Sequence, residues 1–597
     1  MKPIWKWIIG TLTLLVIALA GISWYLSRNW KPLVEEQLQE LIKSSTDSLY
    51  TLTYDELDMA IALGNLTLKN AVLRADTLVY AHMESAETAP DNLYDIEVKE
   101  LKVKRFGILD ILRNRTLNIR SIALTDPSIK LATKYHAYND TLSSPKPKKN
   151  LYESIKNVFH AIHIGQVDIE NAAFHYSKTG KDHQQTAFGL DSVRIQIADI
   201  QVDENSHTDT TRLYYTKRIE AFVPGFKYPL STPSGDYTAN FEALKVNTEA
   251  QIVLLTRASY KPTLEKAAFY KKYRKNFTRT DLYFDTLYLE KLDFKKLIEK
   301  QQTVAQRAYA KNGHVKLYGD KRFPKQPVNQ IGRAPHQNLM RAKNIIHIDS
   351  VFVQQVDVVY GEMSQKYARE GEISFNRVTG SLTNVTNDSL ALAKNQYMQA
   401  NLSAHIMNKG QLRTQFRFDM LSKNGAHSYN GTLGRMNASE FNRILFPLLN
   451  VEIASGNIRG IRFNVSGTDY RSRGDFRFDY DNLKISIKAD PNEGKSRSLK
   501  IVSFLVNQII INDSNPDANE KYHTGKIDRR RVPEHTFFKN LWENLLDGIK
   551  QTAGISKERE QKWKERAEVT QKAVEATKET SQKTKGFFRG LFKKEKE

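Results

Sequence analysis

Ile164-Gly165-Gln166-Val167-Asp168-Ile169-Glu170-Asn171-Ala172-Ala173-Phe174-His175-Tyr176 keeps its apolar residues two apart, except where it slips by one residue after Ile164 and again after Ile169. A period of two is the signature of a strand with one apolar and one polar face. The order apolar-x-x-apolar-x-apolar-x-x-(Ala/Pro/apolar)-x-apolar recurs. It appears as Leu63, Leu66, Leu68, Ala71, Leu73; as Ile119, Ile122, Leu124, Pro127, Ile129; as Phe284, Leu287, Leu289, Leu292, Phe294; and as Ile348, Val351, Val353, Val356, Val358. Two spacers after an alternating pair are what a strand, a bulge or tight turn, and the next strand produce. The copies start at 63, 119, 164, 284 and 348. No fixed period exists, so regular solenoids and propellers are disfavoured.

Strand character runs from Tyr50 to about Lys488. It is broken by helical patches at Ile108–Arg113, Tyr152–Ala161, Tyr270–Lys275, Leu297–Ala310 and Ser439–Leu449. A short amphipathic helix is expected over Leu33–Leu49. Ser143-Ser144-Pro145-Lys146-Pro147, Phe323 to Pro335 and Asp490-Pro491-Asn492-Glu493-Gly494 read as linkers or loops. Helices this few and short do not cover several hundred residues of half-apolar strand. Either two sheets cover each other, or one long sheet curls so that its apolar face lines a trough.

Ile8 to Leu26 is a run of 19 residues without a charge, bracketed by Trp5, Trp7, Trp24, Tyr25 and Trp30. At ~1.5 Å per residue it spans roughly 28 Å, close to a bilayer core, with aromatic rings at both interfaces. Ala18-Leu19-Ala20 imitates a signal-peptide cleavage site, but apolar residues continue past it. The reading is an uncleaved single-pass anchor with the bulk of the chain exported. At the other end Phe537, Phe538, Leu541, Trp542, Leu545, Leu546 and Ile549 share one helical stripe, and Phe587, Phe588, Leu591 and Phe592 sit beside cations. These are expected membrane or partner contacts; the plainer alternative is a helix docked on the β-region with an unstructured tail.

The chain has 597 residues, no Cys, and 89 Lys+Arg against 67 Asp+Glu, for a net +22. The missing Cys removes disulfides, thiolate metal sites and thiol catalysis. Lys271-Lys272-Tyr273-Arg274-Lys275 and Arg529-Arg530-Arg531 are basic but scattered. They suit anionic headgroups as well as phosphodiesters, and nucleic acid is not an expected partner. Glu493-Gly494-Lys495-Ser496 lacks the upstream glycine of a P-loop. Asp513, Asn515, Asp517 and Asn519 imitate a calcium loop, yet Ala518 stands at its sixth position and Thr524 at its twelfth. His160 and His163 have no evident third ligand. Asp55, Glu56 and Asp58 read as a charged strand edge. No cofactor, no metal and no catalytic residue is expected.

Several stretches together resemble the AsmA-like proteins, relatives of TamB and of the bridge-like lipid-transfer proteins. At the N-terminal end these are the anchor, the short helix, Tyr50-Thr51-Leu52, and Gly64-Asn65-Leu66-Thr67-Leu68. Val98 to Val103, Leu109-Asp110-Ile111-Leu112 and Ile119 to Ile129 are similar to the family's strand–helix–strand unit. At the C-terminal end the likeness is carried by Ser439 to Leu448, by Gly456, Gly460, Phe463 and Gly467, and by Tyr480-Asp481-Asn482-Leu483-Lys484-Ile485. The resemblance implies an inner-membrane anchor in a Gram-negative envelope, a periplasmic β-groove, and phospholipid movement toward the outer membrane.

The expected fold is mainly β: an N-terminal transmembrane helix, then a long curled antiparallel sheet forming a groove, with short helices and a C-terminal amphipathic helical tail. Expected divisions are 1–32 anchor, 33–142 helix and first β-module, 151–322 middle groove, 339–490 C-terminal β-region, 491–533 extension and 534–597 tail. Expected groove lining is Leu66, Leu68, Ile122, Leu124, Val167, Ile169, Phe174, Leu287, Leu289, Val351, Val353 and Val358. Expected partners are phospholipids, the inner membrane, and the outer membrane or a protein within it. The alternative role is an envelope assembly or tethering factor that works through protein contacts.

Overall fold

The computed structural model describes residues 42–43, 46–60, 63–141, 151–156, 158–179, 185–206, 208–325, 327–487 and 512–555. The run 8–26, most of the helix expected over 33–49, the P-loop look-alike 493–496 and the aromatic segment 587–592 lie outside them. Among the described residues no helix is long and apolar enough to cross a membrane. The protein is mainly β, and among the described residues 21 strands belong to one mixed sheet. Two compact units divide the chain. One comprises 1–231, 237–261 and 283–309; the other comprises 232–236, 262–282 and 310–597.

In the first unit, strand Asn65–Ala75 pairs antiparallel with Tyr50–Thr53 and Glu56–Ala60 on one side and with Asn92–Phe106 on the other. Asn92–Phe106 pairs with Thr116–Lys134, and Ala161–Thr179 pairs with Gln185–Val202, again antiparallel. The expectation of a purely antiparallel sheet is corrected between these pairs: Thr116–Lys134 and Ala161–Thr179 run parallel, with Ile119 beside Ile164 and Leu124 beside Ile169. A parallel neighbour requires the chain to return to its starting end over a long crossover. Between the two strands lies the short helix Leu151–Ile155, where the sequence suggested a helix over Tyr152–Ala161.

In the second unit, Ile346–Met363, Glu370–Thr386, Tyr397–Ile406, Gly410–Asp419 and His427–Leu433 form an antiparallel meander. His427–Leu433 then pairs with Val451–Gly467, which pairs with Arg471–Ile487, and that strand pairs with Gly525–Arg530. Two helices, Asn442–Leu449 and Phe537–Thr552, pack on this sheet. The side chain of Gln551 takes the place of a further strand on Gly525–Arg530: it accepts from Lys526 N at 2.8 Å and donates to Lys526 O at 3.0 Å. An edge whose backbone groups are occupied is a poorer template for another chain.

The helix expected over Leu297–Ala310 is shorter and earlier, at Phe294–Lys300, and Thr303–Asp320 is a strand. Gln301 at φ 55° ends the helix in the left-handed conformation, and Thr303-Val304 then favours extended backbone.

Candidate functional site

In all five copies of the repeat the second spacer residue has positive φ: Asn70 49°, Asp126 49°, Asn171 54°, Lys291 54° and Gln355 55°. A residue in the left-handed conformation turns the strand by one extra step, so the next apolar side chain returns to the same face. The ladder register is disturbed between Ile169 and Ala172 and between Val353 and Val356 and recovers within a few residues, whereas at Asn70 and Asp126 it runs unbroken because the facing strands take the same step. In four copies the same strand continues past this residue. In the fifth the strand ends at Glu290, just before Lys291, and a helix rather than a new strand follows. Asn and Asp tolerate this backbone best of the non-glycine residues, which fits three of the five positions.

The left-handed residues of the first unit are aligned. Lys99 stands opposite both Asn70 and Asp126, between the pairs Lys69–Glu100 and Ala71–Val98 on one side and Thr125–Glu100 and Pro127–Val98 on the other. Asn171 donates to Asp126 at 2.7 Å and Lys99 reaches the same carboxylate at 3.2 Å. These two contacts, the Asn171 amide first, hold the Asp126 carboxyl below its usual range. Ser192 continues the line on the next strand at φ 55°. Along this row the apolar sets of successive strands change phase together, a crease in the alternation of the sheet.

The apolar face is closed on one side of this crease. Leu66, Leu68, Ile122, Leu124 and Val167 are all buried, with Leu117, Ile119, Ile162, Ile164 and Ile197 in the same core. Ile155 and Phe159 of the crossover complete it, and Leu151, Tyr152 and Ile111 pack around it. Five of the expected lining residues are thus sealed by the protein itself, and Ile169 packs at the margin.

Beyond the crease the same face changes character. Phe174 and Tyr176 on Ala161–Thr179, Phe188 on Gln185–Val202, Phe226 and Tyr228 on Thr216–Thr232, and Phe241 on Gly235–Asn247 are each only half-buried. They form a continuous run of rings. Phe188 lies 6.1 Å from Phe174, 5.4 Å from Tyr176, 6.0 Å from Phe226 and 5.8 Å from Tyr228, and Phe226 stacks on Phe241 at 5.3 Å. Leu287 and Leu289, of the same unit, are also half-buried. Only Phe174 and the two leucines were expected here. The alternation in Phe226-Lys227-Tyr228 and in Asn240-Phe241-Glu242 carried the rest of the signal, unaccompanied by the repeat.

The second unit shows the same two states. Val351, Val353 and Val358 are half-buried, as are Leu382 and Leu402 on the neighbouring strands, Leu382 opposite Val351 and Leu402 opposite Gly380. Ile373, Ile406, Tyr429, Val465, Phe476, Phe478 and Tyr480 form a buried core over which Ile444, Leu445, Leu541, Leu545 and Ile549 pack. The C-terminal helix seats on a polar and small stripe. Asn540, Asn544, Gly548 and Thr552 are its buried residues along with Phe537, and Asn544 donates to the Tyr429 hydroxyl at 3.0 Å. Of the expected contact residues, Phe537 is 5% exposed, Leu541, Trp542 and Leu545 are half-buried, and Phe538 is 67% exposed.

Beneath the start of this helix lies an aromatic box. His336 stacks 5.0 Å from Phe418, His427 lies 5.0 Å from Phe537, and the two imidazoles are 6.3 Å apart. His336 is 1% exposed and neither ring nitrogen has a hydrogen-bond partner. Burial pulls its pKa down to about 4, and burial likewise lowers that of His427. Beside the box, Arg531 and Asp469 pair at 2.9 Å with both side chains almost wholly buried, and Gln337 donates to the same carboxylate at 2.7 Å. Arg531 is therefore a structural cation rather than part of a surface patch.

Among the described residues no group of three or more His, Asp or Glu is placed to hold a metal ion. His163 turns to Asp199 at 3.3 Å. The calcium-loop look-alike is a structural turn. Asn515 is fully buried, donates to Phe478 O at 2.7 Å and to His523 O at 2.9 Å, and accepts from His523 N, while Asp517 meets the His523 ring at 2.8 Å. No protein-family model matches the chain, and no curated protein matches it either.

Proposed function

We propose that the protein is a non-enzymatic lipid carrier: a single-pass anchor holds the β-region in the periplasm, and the open part of the apolar sheet face receives phospholipid acyl chains moving between inner and outer membranes. The observation that carries this reading is the half-buried run Phe174, Tyr176, Phe188, Phe226, Tyr228 and Phe241, set on the same sheet that seals Leu68 and Ile122 completely. The fold has the means to cover an apolar face, by crossover and by helix, and leaves this one uncovered in part. Contiguous exposed apolar surface of this kind marks a binding surface. Each methylene moved from water onto it contributes about 0.8 kcal/mol, so an acyl chain gains far more there than a polar ligand. The sheet is not strongly curled, which corrects the curled trough expected from the sequence; the acyl chains rest on an open apolar face in this proposal.

The test is mass spectrometry of the full chain extracted from native membranes under gentle conditions. Stoichiometric phospholipid that survives purification and is lost in Phe226→Asp supports the reading. A chain that carries no lipid, or that carries the same amount in the variant, counts against it. A saturable protein partner recovered in its place would favour a tethering factor.

A further inference from the structure

The opposite face of the second unit's sheet points to a second membrane contact. Within 410–418, 427–433, 461–467 and 471–478 the apolar-face residues are largely buried and every alternate position faces solvent. The charges on this face are Arg413, Arg417, Arg462, Arg471, Arg473 and Arg477 against Asp475, with the half-buried Asp419 and Asp479 at its ends, six minus three, a net +3. Ladder register places three of them in one row: Arg413 opposite Thr432, Thr432 opposite Arg462, and Arg462 opposite Arg477. Like charges directly opposite each other destabilise a sheet. Arg471 and Arg473 share Asp528 of the next strand, and Arg417 lies 3.6 Å from the centre of the Tyr397 ring. Among the described residues Arg413, Arg462 and Arg477 have no carboxylate partner. The neighbouring row, Gln415, Asn430 and Asn464, is uncharged until it reaches Asp475 opposite Asn464.

We propose that this face docks against an anionic lipid bilayer. Guanidinium groups in fixed positions bind phosphate in fork geometry, and a row with no internal counterion is relieved by phosphates supplied from outside. A two-dimensional array of cations on a pleated surface meets a two-dimensional array of headgroups. Binding to single-stranded nucleic acid draws on rings between the cations on which bases stack. The positions between these arginines hold Thr432, Asn430, Ser428, Gln415 and Asn464, and the nearby rings are engaged, Tyr397 by Arg417 and Tyr522 by its hydroxyl's bond to Asp479 at 2.6 Å. The surface is separate from the apolar face, so it functions whether or not lipid rests there.

The experiment places the full chain in a phosphatidylcholine nanodisc and measures its capture by separate vesicles, with far-UV circular dichroism confirming that each variant is folded. Vesicles with about 30 mol% phosphatidylglycerol should capture it and pure phosphatidylcholine vesicles should not, with affinity falling about fivefold for each arginine removed. R413Q/R462Q/R477Q should therefore bind about a hundredfold more weakly. K104Q/K227Q/K245Q, which removes three exposed cations of the first unit, should change capture little. Equal weakening in both triple variants would overturn the proposal, because binding would then follow net charge alone. Displacement by millimolar inorganic phosphate at constant ionic strength would also overturn it, in favour of a single-anion site. So would tighter, arginine-dependent binding of single-stranded DNA.

Discussion

Asn171 donates its side-chain amide to the Asp126 carboxylate across a parallel strand pair, and both residues hold positive φ, at 54° and 49°. One contact thus ties together two left-handed residues that belong to different copies of the repeat. The apolar set of each strand stays in phase only because these residues take up the extra step.

Asn171→Val places a β-branched residue where the backbone is left-handed and removes the amide. It should cost about 1–3 kcal/mol, whereas Asn171→Gly should cost less because glycine adopts this φ freely. Equilibrium urea unfolding of the two variants checks the order. Equal losses would mean that the hydrogen bond, not the backbone, sets the left-handed step.

Introducing charge separates the two parts of the apolar face. Leu68→Asp buries a carboxylate in a closed core and should cost about 4 kcal/mol or more. Val353→Asp and Ile169→Asp lie at half-buried positions and should leave the fold intact while lowering lipid occupancy. Thermal unfolding together with lipid content by mass spectrometry distinguishes these outcomes.

Gly548 brings the C-terminal helix so close to the sheet that a Cβ there would stand 2.4 Å from Cγ of Phe476. Ala would add about 1 kcal/mol of intrinsic helix stability, but overpacking of about 1–3 kcal/mol opposes it. Gly548→Ala should therefore loosen Phe537–Thr552, read as faster amide exchange over that helix. Phe476→Ala in the same chain should recover part of the loss, since the two side chains compete for one space.

Acid should weaken the second unit. The pKa of His336 falls from 6.5 to about 4 on folding, so the unfolded chain binds more protons between these values. The stabilising contribution is complete above about pH 6.5 and is lost as pH falls toward about 4, amounting to roughly 3 kcal/mol. His427, lowered in the same box, acts in the same direction. Stability measured against pH should slope less in His336→Phe, a ring suited to the contact with Phe418. An unchanged slope would place the acid sensitivity elsewhere.

Much of this architecture is legible in the residues. The five-copy repeat announces half-apolar strands and its two spacers announce a change of phase, because period two and its interruption are local properties. The parallel pairing of Thr116–Lys134 with Ala161–Thr179 is not local. It depends on where the crossover lands, and nothing within either strand encodes that. Closure is equally non-local: Leu68 and Val353 occupy the same place in the repeat, yet one is 1% exposed and the other half-buried, according to which helix or loop arrives above them. The C-terminal stripe was read by hydropathy, while the helix seats on Asn540, Asn544 and Gly548, chosen for close approach and hydrogen bonding. The ring run at Phe188, Phe226 and Phe241 lies outside the repeat and becomes visible only when the strands stand side by side.

The most direct test of an accessible apolar face is photo-crosslinking in living cells, with a photoreactive residue at Phe226, at Val353 or, as the sealed control, at Leu68. The account predicts phospholipid adducts at Phe226 and Val353 and none at Leu68. Protein adducts at the first two positions, or lipid adducts equal at all three, would contradict it.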